Sequence, residues 1–299
     1  MASLRDVRLR MRAVRQTLQV TKAMNLISTA KLRKGRRILE DTEPYFTRIQ
    51  KSMFDILSTA QPVSSKFFSP PGRTPGRSGQ YHTAVVAITS DKGLAGGYNT
   101  NICHYVNNLC VKALNPILIL IGSIGCRYFV HSPYLILENF SFHSQLPTIE
   151  NAKEIADYII SQYLWGMFDE VHIVYTHMYS SVKLLPSERQ LLPLNAKRIQ
   201  EELAQSGSRK RADLRFEFLP SEEEVFDALV PMYIKGVVYG SLVEAYASEQ
   251  SARMAAMDKA SKSAEDMLAS LQISYNRARQ AGITQEITEI VSGSASLSG

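Results

Sequence analysis

The apolar positions near the start of the chain recur at alternating spacings of three and four. Leu4, Val7, Met11, Val14 and Leu18 form a heptad seam, the pattern of a helix that packs along another helix. Met24, Ile27 and Leu32 carry the apolar face onward less regularly, Pro44 interrupts it, and Tyr45 to Leu57 resumes it. At about 1.5 Å per residue such a helix would reach roughly 80 Å, more than one compact domain needs. Residues 62–79 then hold Pro70, Pro71, Gly72, Pro75, Gly76 and Gly79 among serines and basic residues, which reads as a linker or a mobile loop.

From Tyr81 the period changes. Tyr81–Thr89 is β-branched and apolar and predicts a buried strand, closed by the glycine-rich turn Asp91 to Gly97. A helix over about Asn99–Ala113 follows, then strands at Ile117–Ile121 and Leu135–Phe142. Thr148–Tyr163 places Ile149, Ala152, Ile155, Ala156 and Ile159 on one helical face. Glu170–Tyr179 is a strand, Leu184–Leu194 pairs beside it, and a last strand is expected at Leu214–Leu219 after the polar, basic stretch Ser206–Ala212. Strands alternating with helices imply an α/β sheet with right-handed crossovers.

The chain ends as it began. Ser221 is a good N-cap, and Glu224 stands three residues on as in a capping box. A seam at three–four spacing then runs through Phe226, Leu229, Tyr233, Gly236, Gly240, Val243, Ala247, Gln250, Met254, Met257, Ser261, Ala264, Leu268, Leu271, Tyr275 and Ala278, with Gly282 next in register. About seventy helical residues would be roughly 105 Å long. So many Gly, Ala and Ser positions let a partner helix approach closely, and the N-terminal helix, antiparallel to this one, is the partner at hand. The organisation predicted is an N-terminal shaft helix (1–60), a Pro/Gly linker (61–80), an α/β domain (81–219) and a C-terminal shaft helix (220–299). The sustained heptad predicts a left-handed supercoil.

Composition narrows the function. Of 299 residues, 45% are hydrophobic and 21% charged, enough for a packed core. Residues 1–37 hold eleven Lys/Arg against Asp6 alone, a local +10, which leaves −4 for the rest of a chain whose total is +6. The basic character is therefore local and calls for an acidic partner. Arg5, Arg8, Arg12 and Arg15 share one face, a possible phosphate stripe. The same helix carries a clean apolar seam and no interleaved aromatics, so a protein-facing surface is favoured over nucleic acid. Three cysteines without CxxC spacing give neither a disulfide framework nor a zinc site and fit a reducing compartment. The N-terminus has no secretory h-region; its Arg-rich, acid-poor start resembles a transit peptide in composition but continues unbroken into the helix. No run of about 18 apolar residues is present to span a bilayer.

Candidate chemistry is sparse. The turn Gly93–Gly97 follows a strand and precedes a helix, where phosphate binds well. Its spacing is GxxGG rather than GxGxxG, and no acidic residue closes a second strand about twenty residues on, so a tight structural turn is the favoured reading. Ile121 to Gly125 is no better. Of the six histidines, His172 and His177 share a strand but lie five apart, on opposite sides of the sheet. No cofactor, metal site or catalytic triad is expected. Arg277 to Glu286 is dense in hydrogen-bonding groups near a helix end, and Ile283, Ile287 and Ile290 add apolar residues there. A tapering tip of that composition suggests enclosure by another molecule.

Three segments together resemble the gamma subunit of F-type ATP synthase. Thr21-Lys22-Ala23-Met24 leading to Ala30-Lys31-Leu32-Arg33-Lys34 is similar to that family's TKAM…AKLR helix. Ser90 to Asn99 is similar to its SDRGLCGGFN turn. Ala252-Arg253-Met254-Ala255-Ala256-Met257, Tyr275 to Ala281 and Ile283 to Ile290 resemble its C-terminal helix and are the most specific of the three. The segments fall in the right order across both ends and the middle. Ala95 stands where the family often has cysteine, Ser294 where it often has alanine, and the cysteine-bearing insertion of chloroplast members has no counterpart, which points away from thiol regulation.

The resemblance implies a long antiparallel coiled coil of the N- and C-terminal helices flanking a Rossmann-like α/β domain. It implies a non-catalytic subunit, one copy per complex: the rotor shaft inside a ring of α and β subunits, with a foot that meets the epsilon subunit and the membrane c-ring. No nucleic acid, no cofactor and no direct membrane insertion are implied, and the bacterial cytoplasmic membrane face is the implied location. By position, Lys22 and Met24 would face the lower β contacts, Arg279, Gln280 and Thr284 the β catch loop, and Glu289 the bearing around the tip. A basic coiled-coil adaptor and a nucleotide-dependent enzyme with helical arms both leave the C-terminal motif unexplained.

Overall fold

The computed structural model describes residues 4–57, 65–69, 81–141, 146–180, 183–195 and 219–297, with side chains to 292. Most of the expected linker and the basic stretch at 206–212 lie outside these residues, as does the strand expected at 214–219 except for Leu219. The described elements are α1 (Leu4–Leu57), β1 (Thr83–Ile88), α2 (Tyr98–Lys112), β2 (Pro116–Ile121), α3 (Ser123–Phe129), β3 (Leu135–Phe140), α4 (Ile149–Leu164), β4 (Glu170–Met178), β5 (Leu184–Leu192) and α5 (Glu222–Leu297). They pack as two compact units. One comprises residues 30–252 and the other residues 1–29 with 253–299, so both terminal helices contribute to both.

In the larger unit the strand order is β3-β2-β1-β4-β5. The first four strands run parallel and β5 closes the edge antiparallel to β4. β1 is buried at all six positions, as a central parallel strand covered on both faces must be. Val85, Ala87, Leu118, Leu120 and Val174 face α2 and α3 through Ile102, Cys103, Val106, Cys110 and Phe129. Val86, Ile88, Ile119, Ile121 and Ile173 face α4 and the terminal helices. α4 begins with a full capping box, in which Thr148 Oγ1 accepts from the Asn151 N–H and the Thr148 N–H donates to Asn151 Oδ1. At the start of α5, Ser221 Oγ accepts the Glu224 N–H at 3.2 Å, as its N-cap position predicts.

The seven-residue helix α3 is absent from the sequence reading. It starts straight off β2 by way of Gly122, whose φ of 95° no L side chain tolerates well. A Cβ at Gly122 would fall 2.3 Å from the Thr89 carbonyl oxygen.

Within this unit α5 is buried on nearly every side between Tyr233 and Ser251. The close approach expected of its glycines holds at Gly236, where a Cβ would lie 2.2 Å from the Phe46 ring of α1. It does not hold at Gly240, which has nothing within 4 Å of that position. By length and composition α5 could cross a membrane, contrary to the expectation from apolar runs, but half of its most apolar window is buried inside the protein. That apolarity serves packing.

In the smaller unit α1 and α5 run antiparallel. Arg8 contacts Tyr275, Thr21 contacts Ser261 and Asn25 contacts Met254. On α5 the predicted seam holds: Met257, Ser261 and Ala264 are buried, and Leu268, Leu271, Tyr275 and Ala278 are partly buried. On α1, Val7 and Met11 are buried as expected. The next turns differ, because Ile27 is 56% exposed and the seam passes instead through Thr21, Asn25 and Ser28. Two of these polar groups enter the interface with partners: Thr21 Oγ1 and Ser261 Oγ share a hydrogen bond at 2.8 Å, and Asn25 Nδ2 donates to the Met254 carbonyl at 3.1 Å.

Candidate functional site

The carboxyl ends of the strands and the end of α5 are candidate sites, and a further cleft of about 420 Å³ lies beside Phe46, Tyr175, Arg189 and Gly236. In open α/β sheets a ligand binds where the strand order reverses, outside the carboxyl ends. Here the reversal lies between β1 and β4, and α5 covers it. The Tyr98 hydroxyl donates to the Ala245 carbonyl at 3.2 Å, and Ser248 Oγ donates to the Thr176 carbonyl at 2.8 Å. His177 Nδ1 meets Glu244 Oε1, which also accepts the Met178 N–H at 3.3 Å. Burial raises the Glu244 carboxyl above its ordinary range, and His177 pulls it partly back. The crevice left beside Thr89, Asp91, Tyr98, Gly122 and Glu249 measures about 60 Å³, whereas ligand pockets commonly run to about 300–1,000 Å³.

The glycine-rich turn ties elements together. Ser90 N–H donates to Asn99 Oδ1 at 3.0 Å, and the Ser90 hydroxyl hydrogen-bonds the same side chain. Leu94 and Gly96 take positive φ, and Ala95 is buried between them. Asp91 Oδ1 accepts the Ser123 N–H at 2.8 Å, so a carboxylate of the protein itself occupies the start of α3. His172 stands between Glu170 (3.0 Å) and Glu188 (2.8 Å), on the α2 side of the sheet where Tyr105 also reaches Glu188. His177 lies on the α5 side, opposite His172 as the spacing predicts. Among the described residues no three His, Cys, Asp or Glu side chains group as a metal site would require. Burial pushes the Cys103 and Cys110 thiols up to about 11, and raises half-buried Cys126 as well.

The end of α5 is of another kind. The pairings of Arg8, Thr21 and Asn25 bring Leu4 opposite about Ala278. Beyond Ala278 every residue through Ser292 is exposed. Ile283, Ile287, Ile290 and Val291 are 44%, 56%, 71% and 61% exposed, and their spacing places them along one stripe. Thr284 donates back to the Gln280 carbonyl at 3.0 Å, and Thr288 and Ser292 donate back to the carbonyls four residues earlier at 2.8 Å. Their hydroxyls are thus satisfied within the helix. Gln285 Nε2 donates to Glu289 Oε1 at 2.9 Å.

The six residues named from the sequence fall into two groups. Arg279 and Gln280 are the first exposed residues past the paired region, Thr284 follows one turn later and Glu289 lies near the end. Lys22 and half-buried Met24 lie on α1, and Lys22 pairs with Glu265 at 2.7 Å. Glu265 precedes Arg279 by fourteen residues, roughly 21 Å of helix, so the groups form no single patch. The sequence reading passed over one contact, Arg8 Nη2 to the Tyr275 hydroxyl at 3.0 Å. In the sequence Arg8 belongs to a basic stripe, and Tyr275 to the seam and to the C-terminal motif, and neither signal pairs the two.

Comparison with known proteins agrees with this architecture. The family described as ATP synthase matches residues 3–297. The ATP synthase gamma chain of Acetivibrio thermocellus is 41% identical over 99% of this chain and all of its own length. That of Ruminiclostridium cellulolyticum is 40% identical over 99% of each. In fold the chain resembles a chain of the Euglena gracilis mitochondrial ATP synthase (TM-score 0.65, 16% identity, 98% of this chain and 94% of that one). It also resembles one from the central stalk and c-ring of the Tetrahymena thermophila enzyme (TM-score 0.60, 23% identity, 81% and 99%). With two terminal helices paired antiparallel and an α/β sheet between them in sequence, the chain belongs to the gamma-chain family of ATP synthase, which forms the central rotor stalk of the F-type enzyme.

Proposed function

We propose that the chain acts as the non-catalytic turning shaft of its complex, and that the end of α5 beyond Ala278 is the part gripped by the catalytic subunits. The exposed apolar stripe of Ile283, Ile287, Ile290 and Val291 carries this reading. An apolar stripe this exposed marks a surface that another protein covers. An asymmetric helix turned inside a ring of three α and three β subunits offers each β subunit a different face. Each face stabilises one β conformation over another, so rotation shifts three equilibria in turn.

In this reading residues 1–60 and 220–299 form the shaft, and residues 81–219, reached through 61–80, form the foot for the epsilon subunit and the c-ring. Arg279, Gln280 and Thr284 meet the β catch loop, Glu289 lies in the apolar bearing, and Lys22 and Met24 face acidic β loops lower down. The α5-covered strand ends support a role without bound nucleotide. The complex works at the cytoplasmic face of a bacterial membrane, to which this chain is attached only through its partners.

Native mass spectrometry of the tagged chain, extracted from its host's membranes in mild detergent, tests the assembly. One copy with three pairs of larger subunits and ATPase activity is expected; a chain that emerges alone overturns the shaft reading. The double variant Arg279→Ala/Gln280→Ala should then couple poorly or fail to assemble. Wild-type ATP synthesis by that variant would remove those residues from the contact.

A further inference from the structure

The last turn of the paired region is fastened in an unusual way. Arg8 Nη2 donates to the Tyr275 hydroxyl at 3.0 Å, and the same guanidinium lies 5.7 Å from the centroid of the Tyr275 ring. One group thus makes a charged hydrogen bond and a cation–π contact to one side chain. Arg8 holds the Tyr275 phenol below its ordinary range, and Arg279, one turn further along α5, adds to that effect. The phenol therefore lies within the field of both arginines, one on each helix. Past this point α5 keeps only Ala278 partly covered before its bare end begins.

We infer that Arg8 is a positioning residue: its clasp on Tyr275 fixes the direction in which the exposed end of α5 leaves the helix pair, and so where Arg279 and Gln280 are presented. A bare helix is anchored in direction only by its final lateral contacts. The burial of Val7 is non-directional, whereas the Arg8 hydrogen bond and ring contact set an orientation as well. The inference rests on the shaft reading, because it gives that end a load to transmit.

The test uses the full chain and the complete complex. In the isolated chain, Arg8→Gln should speed amide hydrogen exchange at residues 4–11 and 272–280 by about threefold, the factor that one exposed hydrogen bond contributes. Arg8→Lys keeps a cation over the ring and should recover part of the protection. In the purified complex, Arg8→Gln should leave ATP hydrolysis intact and lower the ions transported per ATP, with Arg8→Lys intermediate. Should Arg8→Gln fail to assemble, Tyr275→Phe removes only the hydroxyl and should show the same loss in smaller degree. Unchanged exchange, or changed exchange with wild-type transport per ATP, overturns the inference. If instead the wild-type chain lacks the larger subunits, it is the shaft reading that fails.

Discussion

Gly236 and Gly240 stand one turn apart on the same face of α5, and a methyl group should have opposite effects at the two. In a helix interior Gly→Ala gains about 0.8–1 kcal/mol from backbone entropy alone. At Gly240 nothing lies within 4 Å of the new Cβ, so Gly240→Ala should stabilise the chain by about that much. At Gly236 the Cβ would fall 2.2 Å from Phe46 Cδ1 and 2.5 Å from Cε1, against the roughly 3.5–4.0 Å that carbon atoms prefer. The ring must therefore move by more than an ångström. It is hemmed by Tyr45 and Tyr239, with ring centroids 5.3 and 6.1 Å away. Overpacking of this kind costs about 1–3 kcal/mol. After the propensity gain, Gly236→Ala should range from neutral to about 2 kcal/mol destabilising, and the two variants should differ by about 1–3 kcal/mol. Urea unfolding of the full chain, followed by far-UV circular dichroism, should rank Gly240→Ala above wild type and Gly236→Ala lowest. In a Phe46→Leu background the penalty at 236 should shrink, since the pair is in contact. If Gly236→Ala stabilised as much as Gly240→Ala, α1 and α5 would not approach closely at Gly236, and the small-residue seam would have no packing role there.

Three further outcomes are expected. Gly122→Ala should destabilise by about 3 kcal/mol, the sum of a positive-φ strain and a clash with the Thr89 carbonyl; a shift in urea midpoint no larger than that of a surface substitution would contradict the turn geometry. Burial raises the Glu244 carboxyl, so the folded chain holds that proton more tightly than the unfolded chain does. The resulting stability is present below the unfolded value near 4.5 and is lost as pH rises through the folded one. Glu244→Gln should therefore gain on wild type as pH rises from about 4.5 through the raised folded value in paired urea titrations, and a pH-independent difference would refute it. Cys103 and Cys110, buried and with thiols at about 11, should resist a thiol reagent at neutral pH while Cys126 reacts slowly. Mass spectrometry should find all three labelled only after unfolding.

Much of the fold was legible because burial writes itself into short runs. β1, β2 and β4 are parallel strands covered on both faces, and their apolar runs located them to within two residues. α3 escaped because seven residues give too few turns for a period to show, and its start depends on the φ of Gly122 rather than on any pattern. The α1 seam was followed wrongly at Ile27 for a different reason. Periodicity reads apolar residues as buried, but Thr21 and Asn25 enter the interface because Ser261 and the Met254 carbonyl receive them. A buried hydroxyl with a partner on a distant segment looks, in one sequence, like a solvent-facing one.

The site was legible only in part, and the reason lies in how α5 changes along its length. Between Tyr233 and Ser251 it is covered almost all round, from Met254 to Ala278 it is covered along one seam, and past Ala278 it is bare. A single heptad pattern runs through the first two regimes, so periodicity could not tell an axle seated in a domain from a helix with one neighbour. Only the third regime, where Ile283, Ile287 and Ile290 continue an exposed apolar stripe, was visible as a candidate site from composition. The proposed contacts at Arg279, Gln280 and Thr284 rest on resemblance alone, because these residues have no distinguishing burial. The same gradient bears on the strand ends, where open α/β sheets commonly bind ligands. The segment of α5 that is covered all round is tied to the start of α2 and the end of β4, through Ala245, Glu244 and Ser248. Anchoring the helix and filling the crevice at the strand ends are therefore one structural act, and the same helix that is enclosed there is exposed past Ala278.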